Sequence, residues 1–179
     1  MASELIVQTI QGPSSGANAN KVLIPSGHTL DVSGGTMLPS ADQIIQTQVG
    51  YYTGDISTSS TSMVSSGISV SITPKQSTSK ILISLCGGRP YVDFNNAQID
   101  VKLYEGTSAA DSLRMTSLYY NSTSGVHQAG VIGTSIVDAT DTTSRTYNIY
   151  FRSAGAAGTV YLNNGSDFSM FLIAQEIAQ

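Results

Sequence analysis

The chain has 179 residues, of which 40% are hydrophobic and 11% are charged. It is therefore long enough to bury a core, but it carries far fewer ions than the roughly 25% usual in globular proteins. The net charge is −4 and there is no cluster of Lys and Arg, which argues against nucleic-acid binding through phosphate neutralisation. No apolar run approaches the roughly 18 residues of a membrane span. The first ten residues lack the basic and apolar regions of a signal peptide, so we expect synthesis in the cytoplasm and no membrane insertion.

Hydroxyl groups carry most of the polarity. There are 27 Ser and 18 Thr, a composition that favours strands and turns, because Thr fits the pleat and Ser, Asn and Gly fit the bends. The single cysteine, Cys86 in ILISLCGG, excludes an internal disulfide framework and is expected to be a small buried hydrophobe.

Residues 1–48 form the first predicted region. Their short apolar pieces are interrupted every few residues by Gly, Pro and Ser, and each piece is too short to bury an apolar face alone. Disorder fits poorly because Ile, Val and Leu recur regularly. We predict an extended arm or a short intertwined β-stem that docks on a larger particle, with the docking contacts made by Leu5, Val7, Val22 and Ile24.

Residues 49–179 are predicted to form an antiparallel β-sandwich, most simply a jelly roll of about eight strands. Four runs alternate apolar and polar residues, as a half-buried strand does; their inward residues are expected to be Ile68, Val70 and Ile72; Ile81, Ile83 and Leu85; Ile99, Val101 and Leu103; and Tyr147, Ile149 and Phe151. Pro74 should end the first of these runs because proline cannot donate to a ladder. Asn163, Asn164 and Gly165 are predicted to form a hairpin-type connection, since they tolerate positive φ.

The last run, FSMFLIAQEI, is apolar on both faces. Phe168, Met170 and Leu172 would lie on one face, and Phe171, Ile173 and Ile177 on the other. One face of a sandwich strand is normally polar unless another layer covers it. A long loop or a second subunit could supply that layer, and we favour the subunit.

Two stretches resemble parts of known proteins. TGDISTSSTSMVSSGISVSITPKQSTSKILISL is similar to the opening of a domain common in bacteriophage fibre and appendage proteins, with Ser71 to Pro74 and Ser79 to Ile83 as the matching residues. TYNIYFRSAGAAGTVYLNNG and FLIAQEI resemble the closing strands of tumour necrosis factor-like and complement-type globular heads, and KVLIPSGHTLDVSGGT resembles repeats near the start of marine phage fibre proteins.

The resemblance implies a homotrimer with an N-terminal segment that docks on the virion and an exposed C-terminal knob. The residues expected in the core or at the trimer axis are Tyr147, Tyr150, Phe151, Phe168, Met170, Phe171 and Ile173.

A surface contact is predicted from tyrosines. Tyr119 and Tyr120 are adjacent, so one ring should point away from the core in an extended segment. With Asn121 in the following polar loop and His127, they form a candidate contact for a host glycan or protein. Packing at the trimer interface is the more conservative interpretation.

Catalytic chemistry finds little support. His127 with Asp138 and a serine makes no informative triad among 27 serines. Four carboxylates that would be considered for a glycosidase pair, Asp93, Asp100, Glu105 and Asp111, lie in separate segments with no selective spacing. A calcium loop at Asp138, Asp141 and Thr142 matches no EF-hand pattern, so a solvated turn is favoured. We expect no enzyme activity, cofactor or metal.

The leading hypothesis is a non-enzymatic virion protein of a tailed phage, a homotrimeric short fibre or a head or tail appendage that aids host attachment. The alternative is a capsid decoration or cement protein that stabilises the shell.

Overall fold

A computed structural model of the chain describes residues 14–16, 22–29, 39–92, 94, 97–120, 131–155 and 158–179. These residues form eleven strands and contain no helix. The strands are β1 (Ile44–Thr53), β2 (Ile56–Thr58), β3 (Val64–Ile72), β4 (Lys80–Gly87), β5 (Tyr91–Val92), β6 (Ala97–Glu105), β7 (Ser108–Tyr120), β8 (Val131–Asp138), β9 (Arg145–Gly155), β10 (Val160–Asn163) and β11 (Ser169–Ile177).

The strands form two four-stranded sheets and one small sheet. The first sheet has the order β1-β11-β4-β8, the second β3-β9-β6-β7, and the small sheet β2-β10-β5. Every strand pair is antiparallel. With the three short strands set aside, the eight remaining strands follow the orders 1-8-3-6 and 2-7-4-5, which is the arrangement of a jelly roll. The predicted all-β jelly-roll sandwich is therefore confirmed.

The core lies between the two large sheets and follows the predicted alternation. All twelve predicted inward residues of the four alternating runs are at most 5% exposed. In β11, Met170 and Leu172 are fully buried and continue the same core. Each such side chain contributes about 1.5–3 kcal/mol on burial, so the alternating pattern alone fixes which side of each strand faces inward.

The chain divides into two compact units, Met1–Leu38 and Pro39–Gln179. The boundary falls earlier than the one predicted between Gln48 and Val49 because residues 44–48 belong to β1, which pairs along β11. Residues 44–48 are part of an edge strand of the first sheet. The sequence pattern alone did not distinguish such an edge strand from an extended arm.

The predicted end of one strand is confirmed, and one predicted hairpin is wrong. Strand β3 ends at Ile72, directly before Thr73 and Pro74, as expected. The predicted hairpin at Asn163 to Gly165 is wrong, because β10 pairs with β2 and β5 whereas β11 pairs with β1 and β4. The connection instead crosses between sheets, although Gly165 has the positive φ of 120° that the turn signal indicated.

Candidate functional site

The outer side of the first sheet is almost entirely uncharged. We call it the apolar face and define it by its outward residues: Thr47, Val49 and Tyr51 of β1; Phe171, Ile173, Gln175 and Ile177 of β11; Leu82, Ser84 and Cys86 of β4; and Thr134 and Ile136 of β8. The register places Tyr51 beside Phe171 and Val49 beside Ile173. The Tyr51 and Phe171 rings are 5.3 Å apart. At one end, Lys80 and Asp138 complete the face.

Exposure of large apolar side chains is concentrated on this face. Ile44, Val49, Tyr51 and Ile136 are 54% to 61% exposed. Ile44 lies opposite Ile177 in the register, and the other three belong to the apolar face. Among the described residues of the sandwich, Phe168 is the one further large hydrophobic side chain that is exposed. Contiguous exposed apolar surface of this kind typically marks an interaction site.

The outer side of the second sheet has the opposite character. We call it the polar face; its described outward residues are Ser69, Ser71, Gln98, Asp100, Lys102, Tyr104, Asn148, Tyr150 and Arg152. At its centre, Nε and Nη2 of Arg152 donate to one Asp100 oxygen at 3.0 and 2.9 Å, and Gln98 donates to the other at 2.6 Å. The rings of Tyr104 and Tyr150 stack with their centroids 4.1 Å apart. Asp100 and Tyr104 are only 1% and 8% exposed, whereas Ser69 and Ser71 on the edge strand β3 are exposed.

One end of the sandwich, which we call the entry end, holds residues 39–43, the turn 73–79 and Ala178. The Asp42 amide donates to the Ala178 carbonyl, and the Ala178 amide donates to the Gln43 carbonyl, both at 2.9 Å. The segment that leads into β1 is therefore hydrogen-bonded to the residue that follows β11. The chain enters the sandwich and leaves it at this same end.

A buried carboxylate ties the entry end together. Glu176 has no exposed surface, and its oxygens accept hydrogen bonds from the backbone amides of Lys75 and Gln76 at 2.9 and 3.0 Å. Further donors are the Ser79 hydroxyl and the Gln46 side-chain amide at 2.6 Å. Burial by itself raises the pKa of Glu176, but the hydrogen bonds from Ser79, Lys75, Gln46 and Gln76 outweigh it and hold the pKa below its usual value. The carboxylate is thus an ionised clasp between β11, β1 and the turn 73–79.

The opposite end, which we call the far end, consists of the connections 54–55, 88–90 and 164–168. Asn163 is fully buried there. Its side-chain amide donates to the carbonyls of Gly54 at 2.7 Å and Phe168 at 3.0 Å, and its oxygen accepts from the Arg89 amide at 2.9 Å. One side chain therefore holds all three connections in place.

Aromatic groups decorate this far end. The guanidinium carbon of Arg89 lies 5.2 Å from the centroid of the Phe168 ring. The Tyr91 and Tyr161 rings meet edge to face at 5.5 Å. The Gly165 amide donates to the Asp55 carboxylate at 2.6 Å. The far end therefore combines aromatic rings with one positive group, Arg89, and one negative group, Asp55.

The structure separates the residues predicted for the core or trimer axis. Tyr147, Phe151 and Met170 are buried in the core. Phe171 and Ile173 lie on the apolar face and Tyr150 on the polar face. Phe168 precedes β11 and is 40% exposed, so it is a far-end residue and not a core residue.

The predicted contact and docking residues are only partly described. Tyr119 and Tyr120 are the last residues of β7, at the far end, opposite Gln98 and Ala97; their side chains, with Asn121 and His127, lie outside the described part of the structure. Leu5 and Val7 also lie outside it. In the first unit, Val22, Leu23 and Ile24 are successive residues exposed at 54%, 58% and 45%.

Of the four carboxylates considered for a glycosidase pair, the side chains of two are described, and each lies beside an arginine. Asp100 is held by Arg152, and Glu105 lies 3.7 Å from Arg145, while Asp93 and the side chain of Asp111 fall outside the description. The described residues contain no group of three or more His, Cys, Asp or Glu side chains able to hold a metal ion. In the same part of the chain, no helix is long and apolar enough to span a membrane.

The two carboxylates weighed for calcium accept hydrogen bonds from protein donors. Asp138 accepts from Lys80 at 2.9 Å, and Asp141 accepts from the Thr143 amide at 2.9 Å and its hydroxyl at 2.6 Å. The hydroxyl and amide of Thr143 lower the pKa of Asp141. The solvated-turn interpretation accounts for these contacts.

Sequence reasoning missed Val49 and Ile136 of the apolar face and the Glu176 clasp. Val49 and Tyr51 alternate with Gln48 and Gly50, which is a strand signal that the predicted boundary between residues 48 and 49 interrupted. Nothing in the order of residues links Glu176 to a turn about one hundred positions earlier.

No protein-family model matches the sequence, and no curated protein matches it. Among solved structures the chain is similar to chains from particles of infectious bursal disease virus. For T=1 particles derived from that virus the identity is 14% with a TM-score of 0.42, covering 87% of this chain and 41% of the other. For its VP2 subviral particle the identity is 14% with a TM-score of 0.38, covering 93% and 46%. This chain thus spans less than half of either relative, and likenesses at this level carry no functional argument.

Proposed function

We propose that the protein is a non-enzymatic structural component of a tailed-phage particle, a homotrimeric short fibre or head or tail appendage. Residues of the first unit dock on the particle, and the sandwich faces outward and aids host attachment. The stretches SITP and KILI that resemble phage fibre proteins support the assignment to a virion. They lie on either side of the turn whose Lys75 and Gln76 amides donate to Glu176. The stretch therefore has a structural role in the sandwich.

The observation that carries the proposal is that the two ends of the sandwich differ: the chain enters and leaves at one end, and the other end holds connections between strands. Residues 39–43 and Ala178 lie together at the entry end, and the connections held by Asn163 lie at the opposite end. If the particle holds the sandwich at its entry end, where residue 39 begins it, the far end faces outward. That end offers a guanidinium, aromatic rings and hydroxyl groups on a rigid frame, a combination enriched at binding surfaces.

Docking through the first unit is supported by the exposed run Val22 to Ile24. Contiguous exposed apolar side chains, unlike singly scattered ones, are typical of interaction sites. If this segment added as a strand to the edge of another sheet, backbone hydrogen bonds would give affinity and side chains would give specificity.

The test compares particles assembled with and without the protein. We expect particles that lack it to resist heating as well as complete particles do and to adsorb poorly to host cells. If instead they adsorb normally and break open on heating, the protein is a cement protein and the attachment proposal is wrong. A Phe168→Ala variant, matched by Ser69→Ala on the polar face, asks whether the far end makes the contact: only the first should slow adsorption.

A further inference from the structure

We infer that the apolar face of the first sheet is buried against other copies of this chain. The inference deepens the homotrimer of the proposed function by assigning its interface. It rests on the exposed large apolar side chains of this face, which have no counterpart among the described residues of the second sheet.

The first step is the free-energy cost of exposing the apolar face to water. Val49, Tyr51 and Ile136 are each more than half exposed, on β1 and β8, the two edge strands of the sheet. Phe171 and Ile173 lie between them on the central strand β11 and are half-buried. An apolar surface that runs across a whole sheet is stabilised by removal from water at roughly 25 cal/mol per Å².

The second step is charge, which favours a second copy as the occupant. The charged side chains of the face are Lys80 and Asp138, and they form an ion pair with each other at 2.9 Å. Two copies can therefore meet without like charges opposing one another. A partner of strong charge would find no complementary group, whereas another apolar face with the hydroxyl and amide groups of Thr47, Ser84 and Gln175 matches in character.

The third step is area. Strands spaced about 4.8 Å apart with outward residues about 6.7 Å apart give the four-stranded face a projected area of roughly 450 Å². Two such faces would bury about 900 Å², slightly below the roughly 1,000 Å² that a specific interface needs. Three copies that each buried this face would bury the same roughly 450 Å² per chain, so the area is the same for two chains and for three, and the number three is that of the proposed homotrimer.

The test places charge on the apolar face without touching the core. Val49→Lys/Ile136→Lys introduces two lysines on separate edge strands at positions that are 54% and 56% exposed. Ser65→Lys/Ser69→Lys adds the same charge at exposed positions of β3 in the second sheet and serves as the matched control. Light scattering after size exclusion, on full-length protein at micromolar concentration, gives the mass of each.

We expect the wild type and the control to have the mass of three chains. The apolar-face variant should be a monomer with an unchanged β-sheet circular dichroism spectrum, its association constant lowered at least about 100-fold because the lysines would be buried unpaired. A second readout is the reaction of Cys86, the single cysteine, with a maleimide. Because Cys86 lies on the apolar face, its labelling should be slow in the wild type and fast in the apolar-face variant.

Two results overturn the inference. A monomeric wild type refutes both the interface and the trimer, whereas a variant that stays trimeric refutes the interface and leaves the trimer intact. Neither result bears on docking or host attachment, which the comparison of particles with and without the protein tests separately.

Discussion

Removal of the Glu176 carboxylate is the sharpest test of how the entry end is held. In Glu176→Ala, two backbone amides, the Ser79 hydroxyl and the Gln46 side chain lose a common acceptor. A buried donor left without a partner costs about 1–3 kcal/mol, and such costs are not additive. We therefore expect the free energy of unfolding to fall by about 3–5 kcal/mol, near the upper end for a single substitution.

The isosteric Glu176→Gln separates charge from shape. It keeps one acceptor oxygen but turns an NH₂ group toward donors, so we expect a loss of about 2–3 kcal/mol. For a domain of this size that corresponds to a decrease in Tm of roughly 4–12 °C.

The dependence on pH identifies the carboxylate as the cause. The folded pKa of Glu176 lies below its ordinary value of 4.5, so the unfolded chain binds the proton more readily and the charge stabilises the fold above pH 4.5. That stability is lost as the pH falls through the folded pKa. The difference between wild type and Glu176→Gln, measured by chemical denaturation, should be full at neutral pH and shrink below pH 4.5.

The control is Asp138→Asn, which breaks an ion pair whose side chains are 44% and 74% exposed. Exposed pairs contribute about 0–1 kcal/mol, so this variant should unfold almost like the wild type. A loss below about 0.5 kcal/mol for Glu176→Gln, or a loss that is the same at every pH, would refute the clasp.

Three further predictions concern stability and are measured by chemical denaturation at neutral pH, with Asn163→Asp measured at acid pH as well. Gly50→Ala should destabilise the sandwich by about 3 kcal/mol or more, because a Cβ there would lie 1.9 Å from the Ser69 carbonyl oxygen; an effect below 1 kcal/mol would contradict this close approach. Asn163→Asp should cost about 2–4 kcal/mol since a carboxylate would replace the amide that donates to two carbonyls, and the loss should diminish in acid; equal losses at both pH values would contradict it. Ile83→Ala should cost about 2–5 kcal/mol because the side chain is fully buried, whereas Ser84→Ala beside it should change little.

Much of the sandwich follows from local pattern. In β3, β4, β6 and β9 the alternation of apolar and polar residues determines both the strand and its inward side, because successive side chains of a strand point to opposite faces. The same rule placed Met170 and Leu172 in the core. Pro74 and Gly165 mark connections for equally local reasons, namely a missing donor and a permitted positive φ.

The pairing of distant strands was not accessible in this way. Residues 44–48 were predicted to belong to the arm because short apolar pieces are ambiguous, and only pairing with β11 makes them part of the sheet. The predicted hairpin after β10 failed for the same reason. A turn signal describes the backbone of the turn, while the partners of the flanking strands depend on the whole topology.

The sequence by itself determined the all-β class, the inward residues of the alternating strands and the unusual second apolar side of β11, since these depend on residue type and spacing. Only the tertiary structure decided that this side continues across β1, β4 and β8 as the apolar face, that Glu176 meets the turn 73–79, and that Asn163 joins the far-end connections. The physical reason is distance along the chain. The contact between Lys75 and Glu176 has a sequence separation of 101. It forms because the packing of both sheets against one core brings these distant residues together.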